Sequence, residues 1–359
     1  MSVGTFLAGW LDDQRPGLKP KTWESYAEAV RLYYRPGVGH IKLADLRDHH
    51  IRALHAAMRK INTPEAAGDQ GDILRRLLAA RATVPHLPSK LWGVKPLAEA
   101  GIRRRHAVLS AALNDAVERH LIPASPAATV KFRLHKARPL LWTDARVEQW
   151  RKDGKRPARV TVWSAAQCGQ FLDSIEGDRL YPLYHLACYW GLRRGELVGL
   201  AWSDVDLKTR RLHVRGEVKS EDSDRIITID QDTADVLKSW KRQQAAGRLR
   251  WTGAWAESGR VFTRDDGSAL RPAHVSEHFG ALVRQAGLPP VRFHDLRYGA
   301  ATMLIAAGQP IKVVSAILGH STTAFTMDVY AVVAEELSEA AAVAIAAFVP
   351  RKARTEAAQ

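Results

Sequence analysis

Cysteine is nearly absent: Cys168 and Cys188 are the only two in 359 residues. That excludes a disulfide framework and fits a reduced, cytoplasmic setting. No Cys/His spacing suggests zinc. The chain shows neither a signal peptide nor a long uncharged apolar run, so secretion and membrane spanning are not expected. Its most apolar late stretch, residues 340–348, is far too short to span a bilayer. A Gly-rich phosphate loop is missing, as is any cluster of carboxylates fit to hold Mg²⁺, so neither cofactor nor metal is expected. Acidic residues are outnumbered, 38 Asp and Glu against 53 Lys and Arg, for a formal net charge of +15. Such a field favours a polyanion, although a basic proteome or simple solubility would leave the same sign.

The rest is globular. Hydrophobic residues make up 46% of the chain, enough to bury real cores, and the length predicts two domains. Little strand signal precedes residue 155, so residues 1–125 read as a helical domain. Helical periods run over residues 5–11, 21–34, 48–58, 72–82 and 98–120, with Pro36-Gly37 expected to stop the second of these. Residues 126–160 lose apolar periodicity, are dense in Pro, Lys and Arg, and read as a basic linker pinned by Trp142 and Trp150. Between residues 102 and 160 there are fourteen Lys or Arg against five Asp or Glu. Arg103, Arg104 and Arg105 open a helix, and Arg151, Lys152, Lys155 and Arg156 are expected in a loop; both groups are candidate phosphate contacts. Residues 161–359 read as a second domain. It has three short strands at 205–207, 212–214 and 225–229, and helices at 164–175, 181–190, 233–244, 272–286, 293–307, 311–318 and 335–348. The expected class is mainly α with a small antiparallel sheet, a helical domain followed by a mixed α+β one.

Five short stretches carry chemistry. In Gly191-Leu192-Arg193-Arg194-Gly195-Glu196-Leu197 the glycine ends a buried helix, and Glu196 shares a face with Arg193. A guanidinium held bidentately by that carboxylate is stiff and suits a phosphate, though a purely structural ion pair has the same pattern. Lys219 lies on the polar turn between the last two strands; an ammonium there can protonate a leaving oxygen, but most hairpin lysines are only solvated. His294 and Arg297 share a helical face and suit an oxyanion, while Asp295 points elsewhere and locks the helix start. Gly319 caps an apolar helix and places His320 on a turn. Ser321 to Thr323 offer N-caps for a short helix on which Tyr330 lies about two and a half turns along. A lone Tyr in such a place is more often a half-buried packing residue. Together these make two Arg, two His, one Lys and one Tyr, in which fixed cations take the part that metals play elsewhere in phosphoryl transfer.

In this order and spacing the residues resemble the tyrosine recombinase family, the phage-integrase-like site-specific recombinases, over essentially the whole chain. The catalytic half carries most of the likeness: Arg193 with Glu196, Lys219 before Arg225-Ile226-Ile227-Thr228, His294 with Arg297, Leu318-Gly319-His320, and Tyr330 ten residues later. The first half resembles the family's core-binding domain, and the stretch from Trp142 to Trp163 is similar to linkers of integrases from actinobacterial phages and mobile elements.

The resemblance implies that Tyr330 attacks a DNA phosphate to form a 3′-phosphotyrosine. Arg193 and Arg297 would clamp that phosphate, His294 and His320 would add hydrogen bonds, and Lys219 would protonate the 5′ oxygen. It also implies double-stranded DNA attachment sites as partners, two domains clasping the duplex, and a homotetramer exchanging strands in pairs without ATP or metal. A directionality factor or a DNA-bending protein is an accessory such systems use. Helix 335–348 is expected to dock on a neighbouring protomer or to pack in its own. The turn around Lys219 departs from the pattern, being acidic at Glu221, Asp222 and Asp224. The chain is also expected to start directly at the core-binding helices, without the arm-site domain many integrases carry. Integration and excision of a phage or mobile element is the leading expectation. A Xer-like dimer resolvase, a catalytically inactive DNA-binding relative and a type IB topoisomerase are the alternatives.

Overall fold

A computed structural model describes residues 1–63, 71–82, 96–132, 139–215, 224–251 and 253–319. The chain divides into two compact units, Met1–Lys136 and Ala137–Gln359. Among the described residues it is mainly helical with a small antiparallel sheet.

The first unit is helical. Its elements are α1 (Val3–Gln14), α2 (Pro20–Ala29), α3 (Arg35–Val38), α4 (Asp48–Lys60), α5 (Asp72–Ala82) and α6 (Glu99–Glu118). Each helix turns an apolar stripe inward: Val3, Phe6, Leu7 and Trp10 from α1, Ile51, Leu54 and Met58 from α4, Ile102, Leu109 and Leu113 from α6. Pro36-Gly37 does not stop the second helical run. A π turn at Val30–Tyr34 carries α2 into α3, with the N–H of Arg35 reaching the carbonyl of Val30 five residues back. Pro36 then sits in the first turn of α3, where its missing N–H leaves no bond unmade. The bulge turns Tyr33 and Tyr34 fully inward.

The second unit opens with a parallel pair, β1 (Leu140–Leu141) against β2 (Thr161–Val162), bridged by α7 (Asp144–Asp153). Then come α8 (Ala165–Ser174), α9 (Tyr181–Trp190) and α10 (Arg194–Gly199). A three-stranded antiparallel sheet follows: β3 (Val205–Asp206), β4 (Arg211–Val214) and β5 (Arg225–Thr228). The last helices are α11 (Gln231–Arg250), α12 (Pro272–Gln285), α13 (Leu296–Ala306) and α14 (Ile311–Leu318). Phe171 (α8), Tyr184 (α9) and Phe279 (α12) cluster beneath Phe293, with Phe279 and Phe293 meeting edge to face at 5.6 Å. Phe293 immediately precedes His294, so this aromatic core is the floor of the site described below.

The expected linker, residues 126–160, is not an irregular strap over its described length. Ala127 and Val130 are buried in the first core, while β1 and α7 belong to the second unit. Neither element carries a periodic signal: β1 has two residues, and α7 fully buries only Val147. Trp142 is buried and meets Trp150 edge-on at 5.9 Å, which anchors α7 to the second core. Arg151 and Lys152 accordingly lie in the last turn of α7, ahead of the left-handed cap Gly154, rather than in a loop.

In the first unit His55 and His106 stack edge to face at 5.1 Å, and Phe132 closes the cluster. Burial, then the His106 charge, lowers His55 to about 4, and burial lowers His106 as well. An unfolded His titrates near ~6.5, so between about 6.5 and 4 only the unfolded chain gains the proton. Stability of this unit is therefore expected to be full above that window and to fall as pH drops through it. Urea melts from neutral pH down to pH ~4.5 check this: His55→Phe should flatten the decline, and an unchanged slope would remove His55 as its source.

Candidate active site

Two helix ends and one strand end meet at the site. Helix α9 stops at Gly191, whose φ of +61° is left-handed; a Cβ there would also stand 2.6 Å from Leu318 Cδ2 and 3.0 Å from Ala300 Cβ. That close approach brings α13 and α14 onto the α9–α10 turn. Arg297, in the first turn of α13 and only 3% exposed, donates through Nη1 to the Gly191 carbonyl (2.8 Å) and through Nη2 to the Leu318 carbonyl. Arg193 is the N-cap of α10 and keeps 40% of its side chain exposed. Its backbone N–H donates to Glu196 Oε2 (2.8 Å), its Nη1 to Glu196 Oε1 (2.6 Å) and its Nη2 to the Gly319 carbonyl (2.8 Å).

Glu196 therefore does hold Arg193, but not by the bidentate fork expected from their spacing. The fork belongs to Arg225, whose Nη1 and Nη2 reach Oε1 and Oε2 at 3.0 and 2.8 Å. Burial disfavours the Glu196 charge, yet the bonds and charge of Arg225, joined by those of Arg193, outweigh it and hold the carboxyl down at about 2. Burial, then the like charge of Arg193, brings Arg297 down to about 9, which leaves it protonated at neutral pH. Two guanidiniums thus share one carboxylate, with that of Arg297 close enough to feel both, and Arg193 is the most exposed of the three.

His294 opens the same corner. The residue is exposed, yet the protein on one side of its ring and the Arg297 charge lower its pKa, which favours a neutral imidazole with one ring N–H to donate. Asp295 is buried and turned away, as its position suggests. It accepts from the Arg292 backbone N–H (3.2 Å) and from Arg292 Nε and Nη2 (2.8 and 2.6 Å), and Arg156 Nη2 stands 3.7 Å off. This locks the turn that presents His294.

Lys219, His320, Tyr330 and the helix expected at 335–348 lie outside the described residues. Among the expected phosphate contacts, Arg103, Arg104, Arg151, Lys152 and Lys155 are exposed. The other two are engaged internally. Arg105 bonds Gly101 and Glu28 and lies 4.5 Å from the centre of the Tyr33 ring, while Arg156 donates to Thr161 Oγ1 at 2.7 Å. Arg225 is the residue to which sequence reasoning assigned no role, because both of its partners lie far along the chain.

Comparison with known proteins identifies the family. The Phage integrase family profile matches residues 165–336, and the Phage integrase N-terminal SAM-like domain matches residues 2–58. The Tyrosine recombinase XerC of Mycobacterium bovis is 31% identical over 232 residues, covering 64% of this chain and 71% of that protein. The chain belongs to the tyrosine recombinase family. A XerC-like tyrosine recombinase of Caldanaerobacter subterraneus subsp. tengcongensis is 28% identical over 200 residues, 49% of this chain, which spans about half (51%) of that relative's length. The fold is similar to that of the lambda integrase tetramer bound to a Holliday junction, with a TM-score of 0.60 at 17% identity over 91% of this chain and 77% of that one.

Removing the Glu196 charge tests the electrostatic arrangement. Glu196→Gln keeps the shape but leaves Arg225 buried without a counter-charge, so urea melts are expected to show a loss of ~3–5 kcal/mol. The carboxylate, held at about 2 against an unfolded value near ~4.3, contributes its stability above pH ~4.3 and loses it as pH falls toward 2. A loss under ~1 kcal/mol would mean that the pair is no stronger than a surface ion pair.

Proposed function

We propose that this recombinase cuts and rejoins double-stranded DNA at specific sites through a 3′-phosphotyrosine. The observation that carries the reading is the cluster of Arg193, Arg225 and Arg297 at one buried carboxylate, with Arg193 held in place by Glu196 and the Gly319 carbonyl yet still 40% exposed. A scissile phosphate set against Arg193 and Arg297 would have its non-bridging oxygens neutralised as charge develops on them. Neutral His294 would donate to one of those oxygens, and His320 to another. The Tyr330 hydroxyl oxygen attacks phosphorus and gives up its proton to water; the bond from phosphorus to the 5′ oxygen breaks, and that oxygen takes a proton from Lys219, which regains one from solvent. The energy of the broken bond is kept in the phosphotyrosine. The 5′-hydroxyl of a partner strand reverses the step, so neither ATP nor a metal is consumed.

The exposed Arg103, Arg104, Arg151, Lys152 and Lys155 suit contacts to the flanking phosphates. The assembly would be a tetramer on two sites, as in the lambda integrase complex with a Holliday junction. Reaction on a chromosome places the protein in the cytoplasm, in keeping with its two free thiols; among the described residues no helix is long and apolar enough to cross a membrane. Integration and excision of a mobile element is the leading role, supported by the match to the phage integrase family. A dimer resolvase is the second, favoured by identity to XerC. Recombination between two identical sites but not between two different ones would select the resolvase.

The first test is covalent trapping. Wild type and Tyr330→Phe are incubated in EDTA with a nicked duplex from the flanks of the encoding gene and run on a denaturing gel. A retarded band is expected with wild type only, with site binding retained in Tyr330→Phe. An adduct formed by Tyr330→Phe, or a strict need for Mg²⁺ in the chemical step, would overturn the mechanism. Arg297→Ala is expected to slow adduct formation by about 10²–10³-fold at saturating protein, and an unchanged rate would remove Arg297 from the clamp.

A further inference from the structure

Arg225 begins β5, immediately beyond the segment that carries Lys219, and only 8% of its side chain is exposed. Nη1 and Nη2 each donate to one oxygen of Glu196, and Nε donates to the Ile317 carbonyl at 2.6 Å. The same guanidinium forms a wall against Gly319. A Cβ on that glycine would stand 2.9 Å from Arg225 Nη1, 3.1 Å from Cδ and 3.2 Å from Cζ, and its φ of +63° is one that side chains rarely adopt. Glu196 and the Gly319 carbonyl are the two acceptors that fix the Arg193 guanidinium. Arg225 bonds the first and lies against the residue that carries the second, and through Ile317 it also holds the end of α14.

We propose that Arg225 is a positioning residue for the phosphate clamp. It sets the direction of the Arg193 guanidinium through Glu196 and the Gly319 turn, and it joins β5, at the edge of the Lys219 segment, to the turn before His320. Three of its five N–H groups are committed to protein oxygens and its side chain is only 8% exposed, so it acts through Arg193 rather than on DNA. Lysine cannot replace it: one ammonium lacks the planar fork that spans both Glu196 oxygens while a third N–H reaches Ile317. This inference rests on the phosphoryl-transfer reading above.

The test compares single-turnover adduct formation by wild type, Arg225→Lys and Gly319→Ala on two nicked duplexes. One carries the natural scissile phosphate. The other carries a methylphosphonate there, which has one negative charge fewer and so needs the Arg193 clamp less. On the natural phosphate both variants are expected to react about 10²-fold more slowly than wild type, with unchanged site affinity. On the methylphosphonate both are expected to approach the wild-type rate. An equal loss on both substrates would show a general packing defect and overturn the proposal, as would an Arg225→Lys rate equal to wild type on the phosphate. If Arg225→Lys fails to fold, Gly319→Ala decides by the same two comparisons. A wild type that forms no adduct on the natural duplex is the separate failure of the recombinase reading itself, and it overturns this proposal with it.

Discussion

A single buried carboxylate, shared by two arginines, is the constraint on which the second unit's site depends. Taking Glu196 and Arg225 out of water is costly, and their attraction compensates because the fork is bidentate and Nε finds the Ile317 carbonyl. Arg297 belongs to the same cluster: burial, then the like charge of Arg193, lowers its pKa. A site built in this way is organised before its ligand arrives, since its donors are already oriented by carbonyls and by Glu196.

The surrounding structure serves that arrangement in layers. The aromatic cluster of Phe171, Tyr184, Phe279 and Phe293 is a rigid floor, and His294 stands one residue beyond it. Asp295, boxed in by Arg292, with Arg156 close by, fixes the turn between that floor and α13. Glycine at 191 and 319 lets two helix ends come so close that their carbonyls become the acceptors for Arg297 and Arg193. The two units differ in kind. The first packs helices around a core and sets exposed arginines on α6, whereas the second gathers its charged groups at helix ends.

Much of the fold was legible because its signals are local. Ser164 and Gly191 bound their helices as capping chemistry dictates, and the apolar stripes of α4, α6 and α9 carry a clear period. Where the local signal is weak, the reading strayed. Pro36 did not end a helix because a π turn shifted the bonding ahead of it. Strand β1 and helix α7 were taken for linker because a two-residue strand and a helix with one fully buried residue have no period to read. Arg105 and Arg156 looked like phosphate contacts by composition, and only packing shows them turned to Glu28, Tyr33 and Thr161.

The candidate site divides along the same line. The meeting of Arg193 with Glu196 was legible in the sequence, since an N-cap and the residue three along close a capping box whatever surrounds them. Charge, family and the mainly helical class followed from composition and motif order. The pairing of Arg225 with Glu196, 29 residues away, and with Ile317, 92 residues away, was decided only by tertiary structure. So was the division of labour within the cluster, with Arg297 buried, Arg225 enclosed and Arg193 left half-exposed. The reason is physical: a guanidinium's role depends on which oxygens it can reach and how much water it keeps, and long-range packing sets both.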